Sequence, residues 1–397
     1  MAFKPLFHIS RKISFAAFPE TVPSRTRPHP RLPTWGTVRR GHDVVVFTQP
    51  HGDGEVELPG VQVLPVLRLR YANDRLLPKR YKMDVWHVMN ACYAWLALET
   101  RPVVVSVHGN DFINPCVLIH SPSLKGVPVL WRFHQRIGPY ERWLHRRLAL
   151  RLMRRGLSRS RQVIANSEYS KQLVIKLYPM CRNRTSVGFV GVGEDFLNET
   201  AKRADFEATK RLVTVCRLGE SRKNVDRILQ ALAELKHYPF TYTVVGEGKL
   251  RPSLEALSRD LGLRDRVTFT GFLPKVDVQN LLASSDLFIL TSSVLPHSFE
   301  GFGIVYLEAN ACGTPVLAAR QAGAAEAVAD GVSGMFVNEP TVEEIASALE
   351  RFFSGEIHFV SDACRTFARR FTWQRVVDHA IQHYGVIQMP QRYRCDL

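Results

Sequence analysis

The residues best suited to chemistry lie in Glu300 to Gly313, EGFGIVYLEANACG, followed at once by Thr314-Pro315-Val316. Gly301 and Gly303 carry no Cβ, so their backbone N–H groups can approach a ligand closely. Behind them Ile304 to Cys312 reads as a helix, and its first N–H groups and dipole face the same point. An anion is the natural occupant of such a place. Glu300 and Glu308 have seven residues between them, so one carboxylate stands in the turn and the other about a turn into the helix. Carboxylates beside a phosphate site bind neutral hydroxyls, such as those of a ribose or a hexose. Taken alone, the same residues also describe an ordinary turn capped by Glu300, with Glu308 on a solvated helix face.

These side chains need elements to hold them. Ser285 to Thr291 is a short apolar run suited to a buried parallel strand that delivers the chain to the turn. Leu212 to Arg217, Thr241 to Gly246, Val267 to Gly271 and Val316 to Ala319 are further strands, and Val342 to Phe353 is an amphipathic helix. Such alternation predicts a parallel, doubly wound sheet. The first half repeats the scheme with Val61 to Leu67, Asp84 to Val88, Arg101 to Val107 and Arg161 to Ser167. An earlier strand falls at Pro5 to Ser10 or Ile13 to Phe18, and another ends at Thr48. Ser167 or Ser170 caps the helix that begins near Glu168, and Thr372 caps the last one. The strand ending at Val107 runs into His108-Gly109-Asn110-Asp111. Ligands in open α/β sheets bind outside the carboxyl ends of the strands, so His108 stands where a site residue belongs. A histidine that only caps the following turn would read the same way, and Asp111 could be a helix N-cap.

The glutamate pair, Gly313-Thr314-Pro315-Val316 and Gly331-x-x-Gly334 together resemble the nucleotide-sugar site of the glycogen-synthase-like (family four) retaining glycosyltransferases. The resemblance covers roughly residues 39 to 385 and is strongest from Arg211 to Val337. It implies the α/β GT-B architecture, two Rossmann-like domains facing each other across a cleft. The expected division is 1–195, 196–373 and a C-terminal helix and tail, 374–397, that crosses back to the first domain. It implies, too, that Arg217 and Lys223 hold the diphosphate, aided by N–H groups of Gly301, Phe302, Gly303 and Ile304. Glu308 would bind the ribose, Glu300 would orient the sugar, and His108 would contact it from the other domain. The turns at Gly246-Glu247-Gly248 and at Gly271-Phe272-Leu273 would line the nucleobase pocket. Gln321 to Glu326 resembles a family loop whose second glycine is here Ala324. No Asp-x-Asp pattern is visible, so the expected enzyme uses no metal and no cofactor beyond its nucleoside-diphosphate-sugar donor.

Composition narrows the setting. The 397 residues carry a formal charge of +16 and a sequence pI near 9.8, which predicts an anionic partner surface. Between residues 131 and 161 arginines interleave with Trp131, Phe133, Tyr140 and Trp143 against one acid, Glu141. That pattern fits a helix lying on an anionic membrane as well as the solvated face of a core helix. No base-reading module accompanies the charge, which disfavours a nucleic-acid partner. The acceptor expected beside such a surface is lipid-linked or a saccharide, in envelope polysaccharide or glycolipid synthesis. Seven scattered cysteines without a Cys-x-x-Cys indicate reduced thiols, and no apolar stretch suffices for a signal peptide or a span. The expectation is a cytoplasmic protein, peripheral at most. The weak point is Pro19 to Trp35, whose five prolines cannot sit in the helix the family has there. It reads as a diverged loop or as a corrupted frame, and the second alternative predicts an inactive nucleotide-sugar binding protein.

Overall fold

The computed structural model describes residues 12–16, 42–48, 60–68, 70–114, 128–197 and 209–384, with the side chains of 12–16 and 128–142 left aside. The proline-rich segment 19–35 and the alternative first strand at Pro5 to Ser10 lie outside the described residues.

The first sheet contains β1 (Lys12–Ala16), β2 (Asp43–Phe47), β3 (Val61–Leu64), β4 (Val85–Val88), β5 (Val103–Val107), β6 (Gln162–Ala165) and β7 (Thr185–Val187). The second contains β8 (Lys210–Val215), β9 (Phe240–Val245), β10 (Val267–Gly271), β11 (Leu287–Leu290), β12 (Val316–Ala319) and β13 (Gly334–Val337). Their orders are β3-β2-β1-β4-β5-β6-β7 and β10-β9-β8-β11-β12-β13, with parallel pairing throughout. Winding reverses beside β1 in one sheet and beside β8 in the other, which opens a crevice at the strand ends. The Val, Ile and Leu runs follow from burial on both faces. β5, VVVSV, and β11, LFIL, are buried at every position.

The helices used below are α1 (Pro128–Arg159), α2 (Glu168–Leu177), α3 (Ile304–Ala311), α4 (Val342–Phe353) and α5 (Trp373–Gln382). Ser167 caps α2 and Thr372 caps α5, each by accepting a backbone N–H three residues on. The core of the first half centres on Trp86, Tyr93 and Trp95, with Trp86 stacked on Phe47 at 5.1 Å. Two clusters cover the faces of the second sheet. Phe299, just before the glycine turn, is buried in the core of the first half, beside Phe112 and Tyr169. The chain then returns: α5 docks on the first sheet through Ala380 and Tyr384.

Several strands are shorter than their sequence signals. Val61 to Leu67 ends its pairing at Leu64, after which Leu67 N–H turns to the Thr48 carbonyl. Asp111 does not start a helix. Its carboxylate accepts from His108 N–H at 2.9 Å and Ala91 N–H at 2.8 Å, tying two loops together. The strand β13 has no counterpart among the sequence expectations, because GMFV follows a Gly-x-x-Gly turn and is only four residues long.

Candidate active site

The ends of β5, β8 and β11 supply the site. Beyond β11 the chain reaches Gly303, which caps α3 in the left-handed region at φ 88°. A Cβ there would come 2.3 Å from the Tyr306 ring, so only glycine fits. Gly301 faces the other half of the molecule. Its Cβ would lie 2.9 Å from Gly109 Cα and 2.8 Å from Asn166 Nδ2, so two glycines allow the backbones of the two halves to meet. The first N–H groups of α3 have no preceding helical turn to serve and remain suited to an anion. Phe302 contributes only backbone: its ring is buried between Phe189 and Phe371, at 5.5 and 5.6 Å. That leaves its N–H, the group the sequence reading assigned, as the part of residue 302 that faces the turn.

From β8 come the cations. Ser221–Lys223 form a short 3-10 turn, which Asn224 pins by donating to the Thr291 carbonyl and to Ser293 Oγ. Lys223 Nζ lies 2.5 Å from Glu300 Oε2. Burial alone would raise the Glu300 pKa, but Lys223 and Arg222 outweigh it and hold the carboxyl below the ordinary range. The two residues assigned to opposite ends of the donor thus touch each other. A lysine has three N–H donors, so Lys223 keeps donors for a phosphate while bound to Glu300. Arg217 is more exposed, with Nη2 4.0 Å from Glu220.

Arg222 was not singled out by sequence, although it adjoins Lys223. It is 7% exposed and donates to Glu220 at 2.6 Å, Ser298 at 2.8 Å and Glu300 at 3.3 Å. Asn110 was equally unassigned, and it bridges the halves by accepting from Phe299 N–H and donating to Ser298 Oγ, both at 3.1 Å.

Glu308 stands four residues after the start of α3, partly exposed. Burial pushes its carboxyl up to about 7, with Lys275 lowering and Asp195 raising it further. Across the site His108 reaches solvent, yet the protein around its imidazole pushes the pKa down to about 4. A neutral ring can exchange hydrogen bonds with a hydroxyl. Asp111 beneath it is pushed up to about 7 by burial, against the pull of its backbone hydrogen bonds.

At 321–326 the sequence reading needs correction. Ala324 is buried in ordinary backbone, whereas Ala322 takes φ 49°, the region where a glycine is favoured. Ala322, and not Ala324, is therefore the position whose backbone suits a glycine. Gly323 is the tight position, since a Cβ there would sit 2.0 Å from the Gly301 carbonyl oxygen. Toward the expected nucleobase side, Gly246 and Gly248 pack on the backbone of Cys216 and Leu218, with no room for a Cβ. Among the described residues no group of three His, Cys, Asp or Glu side chains could hold a metal ion.

Known proteins share this fold and its family profiles. The profile for Glycosyltransferase Family 4 matches residues 35–193 and that for Glycosyl transferases group 1 matches 196–370. A D-inositol 3-phosphate glycosyltransferase of Mycolicibacterium smegmatis is 31% identical over 244 residues, 59% of this chain. The chain spans about half of that relative, 54% of its length. Sucrose-phosphate synthase of Thermosynechococcus elongatus superposes with a TM-score of 0.70 at 16% identity, over 94% of this chain and 98% of that one. An Anabaena protein in complex with UDP and glucose superposes with a TM-score of 0.66 at 20% identity, again over 94% and 98%. With both family profiles laid end to end across two facing parallel sheets, the chain belongs to the family-four glycosyltransferases of the GT-B fold.

Proposed function

We propose that the protein is a retaining glycosyltransferase that moves a sugar from a nucleoside diphosphate to an acceptor hydroxyl. The observation that carries this reading is the meeting of Lys223, Glu300 and the glycine turn with Gly109, one residue from His108. Arg217, Lys223 and the N–H groups of Gly301 to Ile304 receive the diphosphate, while Glu308 accepts hydrogen bonds from the ribose hydroxyls. Glu300 orients the sugar and His108 contacts it from the first half. The similarity to an Anabaena protein in complex with UDP and glucose supports a nucleotide-sugar donor.

In the reaction the bond between the anomeric carbon and the phosphate oxygen breaks, and its electron pair stays on that oxygen. Fixed cations and N–H dipoles stabilise the charge as it develops, without reorganising at the moment of reaction. The acceptor oxygen bonds to the anomeric carbon on the same face, and its proton passes to the departing phosphate. No protein base is needed, and the cations take the part of a metal.

The acceptor fits a glycolipid or envelope polysaccharide pathway. Along α1, Arg147, Arg151, Arg154, Arg155 and Arg159 are exposed, together with Trp143 and Leu144. Such a face suits an anionic membrane. Among the described residues no helix is long and apolar enough to cross one. The test is sugar release from UDP-, GDP- and ADP-sugars, with nucleotide binding measured alongside and with anionic vesicles added in one arm. We expect one donor to be consumed, faster with vesicles. Binding without consumption, even with lipid acceptors, would favour an inactive binding protein, and indifference to vesicles would remove the membrane.

A further inference from the structure

Glu326 belongs to the second half, at the end of the 3-10 turn Ala322–Glu326, yet its carboxylate bonds to the first. Oε2 accepts the Glu168 N–H at 2.7 Å and Oε1 accepts the Tyr169 N–H at 2.9 Å. These are the opening residues of α2, where Ser167 Oγ already accepts from Ser170 N–H at 3.0 Å. The positive end of α2 is thus covered by its own serine and by a carboxylate from across the cleft.

The same turn is fastened to the glycine loop. Gly323 N–H donates to the Glu300 carbonyl at 3.0 Å, and Gly323 lies so close to the Gly301 carbonyl that no Cβ fits between them. Ala322 packs against the core of the first half, as Phe299 does. Turn and loop are therefore fastened to each other, and Glu326 ties them to α2.

Resting on the glycosyltransferase reading, we propose that Glu326 is a positioning residue that latches the two halves closed over the donor loop. It touches no reacting atom. Its hydrogen bonds hold the loop in the position where Gly301 meets Gly109, and so bring His108 to the sugar.

The test compares wild type with Glu326→Ala and Glu326→Gln by amide hydrogen exchange at Glu168 and Tyr169, small-angle scattering, nucleotide affinity and transfer. In the alanine variant we expect exchange at the two amides to quicken about tenfold or more and the radius of gyration to grow. Transfer should fall about tenfold while nucleotide affinity changes less than about threefold. Glutamine, whose amide oxygen accepts one of the two bonds, should lie between, and it carries the same readouts should the alanine variant not fold. Unchanged exchange and scattering would overturn the latch, and loosened halves with unchanged transfer would overturn the positioning role. A wild type that transfers no sugar would overturn the glycosyltransferase reading, while exchange and scattering still judge the latch.

Discussion

At the scale of single residues, the two carboxylates are set apart by their surroundings. Glu300 is ionised because two cations hold it so, whereas burial lifts Glu308 to about 7. Ribose hydroxyls donate to an ionised carboxylate better than to a protonated one, so nucleotide affinity should fall as pH drops through 7. A hydrogen bond to a charged group contributes about 1.5–3 kcal/mol. Calorimetric titrations at pH 6 and 8 should accordingly give weaker binding at the lower pH for wild type. For Glu308→Gln they should give weaker binding with a smaller difference between the two pH values, and a variant that binds like wild type would remove the role assigned to Glu308. Glu308 could be singled out in the sequence because seven intervening residues set it relative to Glu300. Arg222 could not, because two adjacent cations look alike until the turn at Ser221–Lys223 sends one inward.

At the scale of elements, the return of α5 to the first sheet rests on a buried histidine. His87 is 3% exposed, with Nδ1 2.8 Å from the Tyr384 hydroxyl and Nε2 2.8 Å from Ser106 Oγ. Burial pushes its pKa down to about 3, with a further push from His108. An unfolded histidine titrates near 6.5 (about 6.5 in model peptides). Between those values the unfolded chain takes up a proton that the folded chain refuses, so stability falls as pH drops from about 6.5 toward 3. The slope from this one group is up to about 1.4 kcal/mol per pH unit. Urea unfolding at pH 5 and 7 should show a smaller loss for His87→Gln than for wild type, and equal losses would contradict this account. The sequence pointed to a final helix capped by Thr372 but held no sign of its anchor, since His87 and Tyr384 are 297 positions apart. The loop at 321–326 taught a similar lesson. Its resemblance to a family pattern was visible, but which alanine takes the left-handed conformation depends on packing against the other half.

At the scale of the whole molecule, two doubly wound sheets meet through backbone at Gly109 and Gly301 and through the side chains of Asn110, Phe299 and Glu326. The sheets were legible, because buried parallel strands leave apolar runs at regular intervals. Their contact was not, because each bond in it joins residues more than a hundred positions apart. Cys92, Cys181, Cys216, Cys312 and Cys364 form no disulfide, and burial lifts the Cys216 thiol to about 11. Among the described residues the halves are joined by packing and by hydrogen bonds.

The central claim is that this cleft transfers a sugar with its configuration kept. The most direct measurement is proton NMR of the first sugar released from the accepted donor, recorded before the anomers equilibrate. The account predicts the anomeric configuration of the donor in that first product, with release lost in Lys223→Ala. An inverted first product, or release that survives the loss of Lys223, would contradict it.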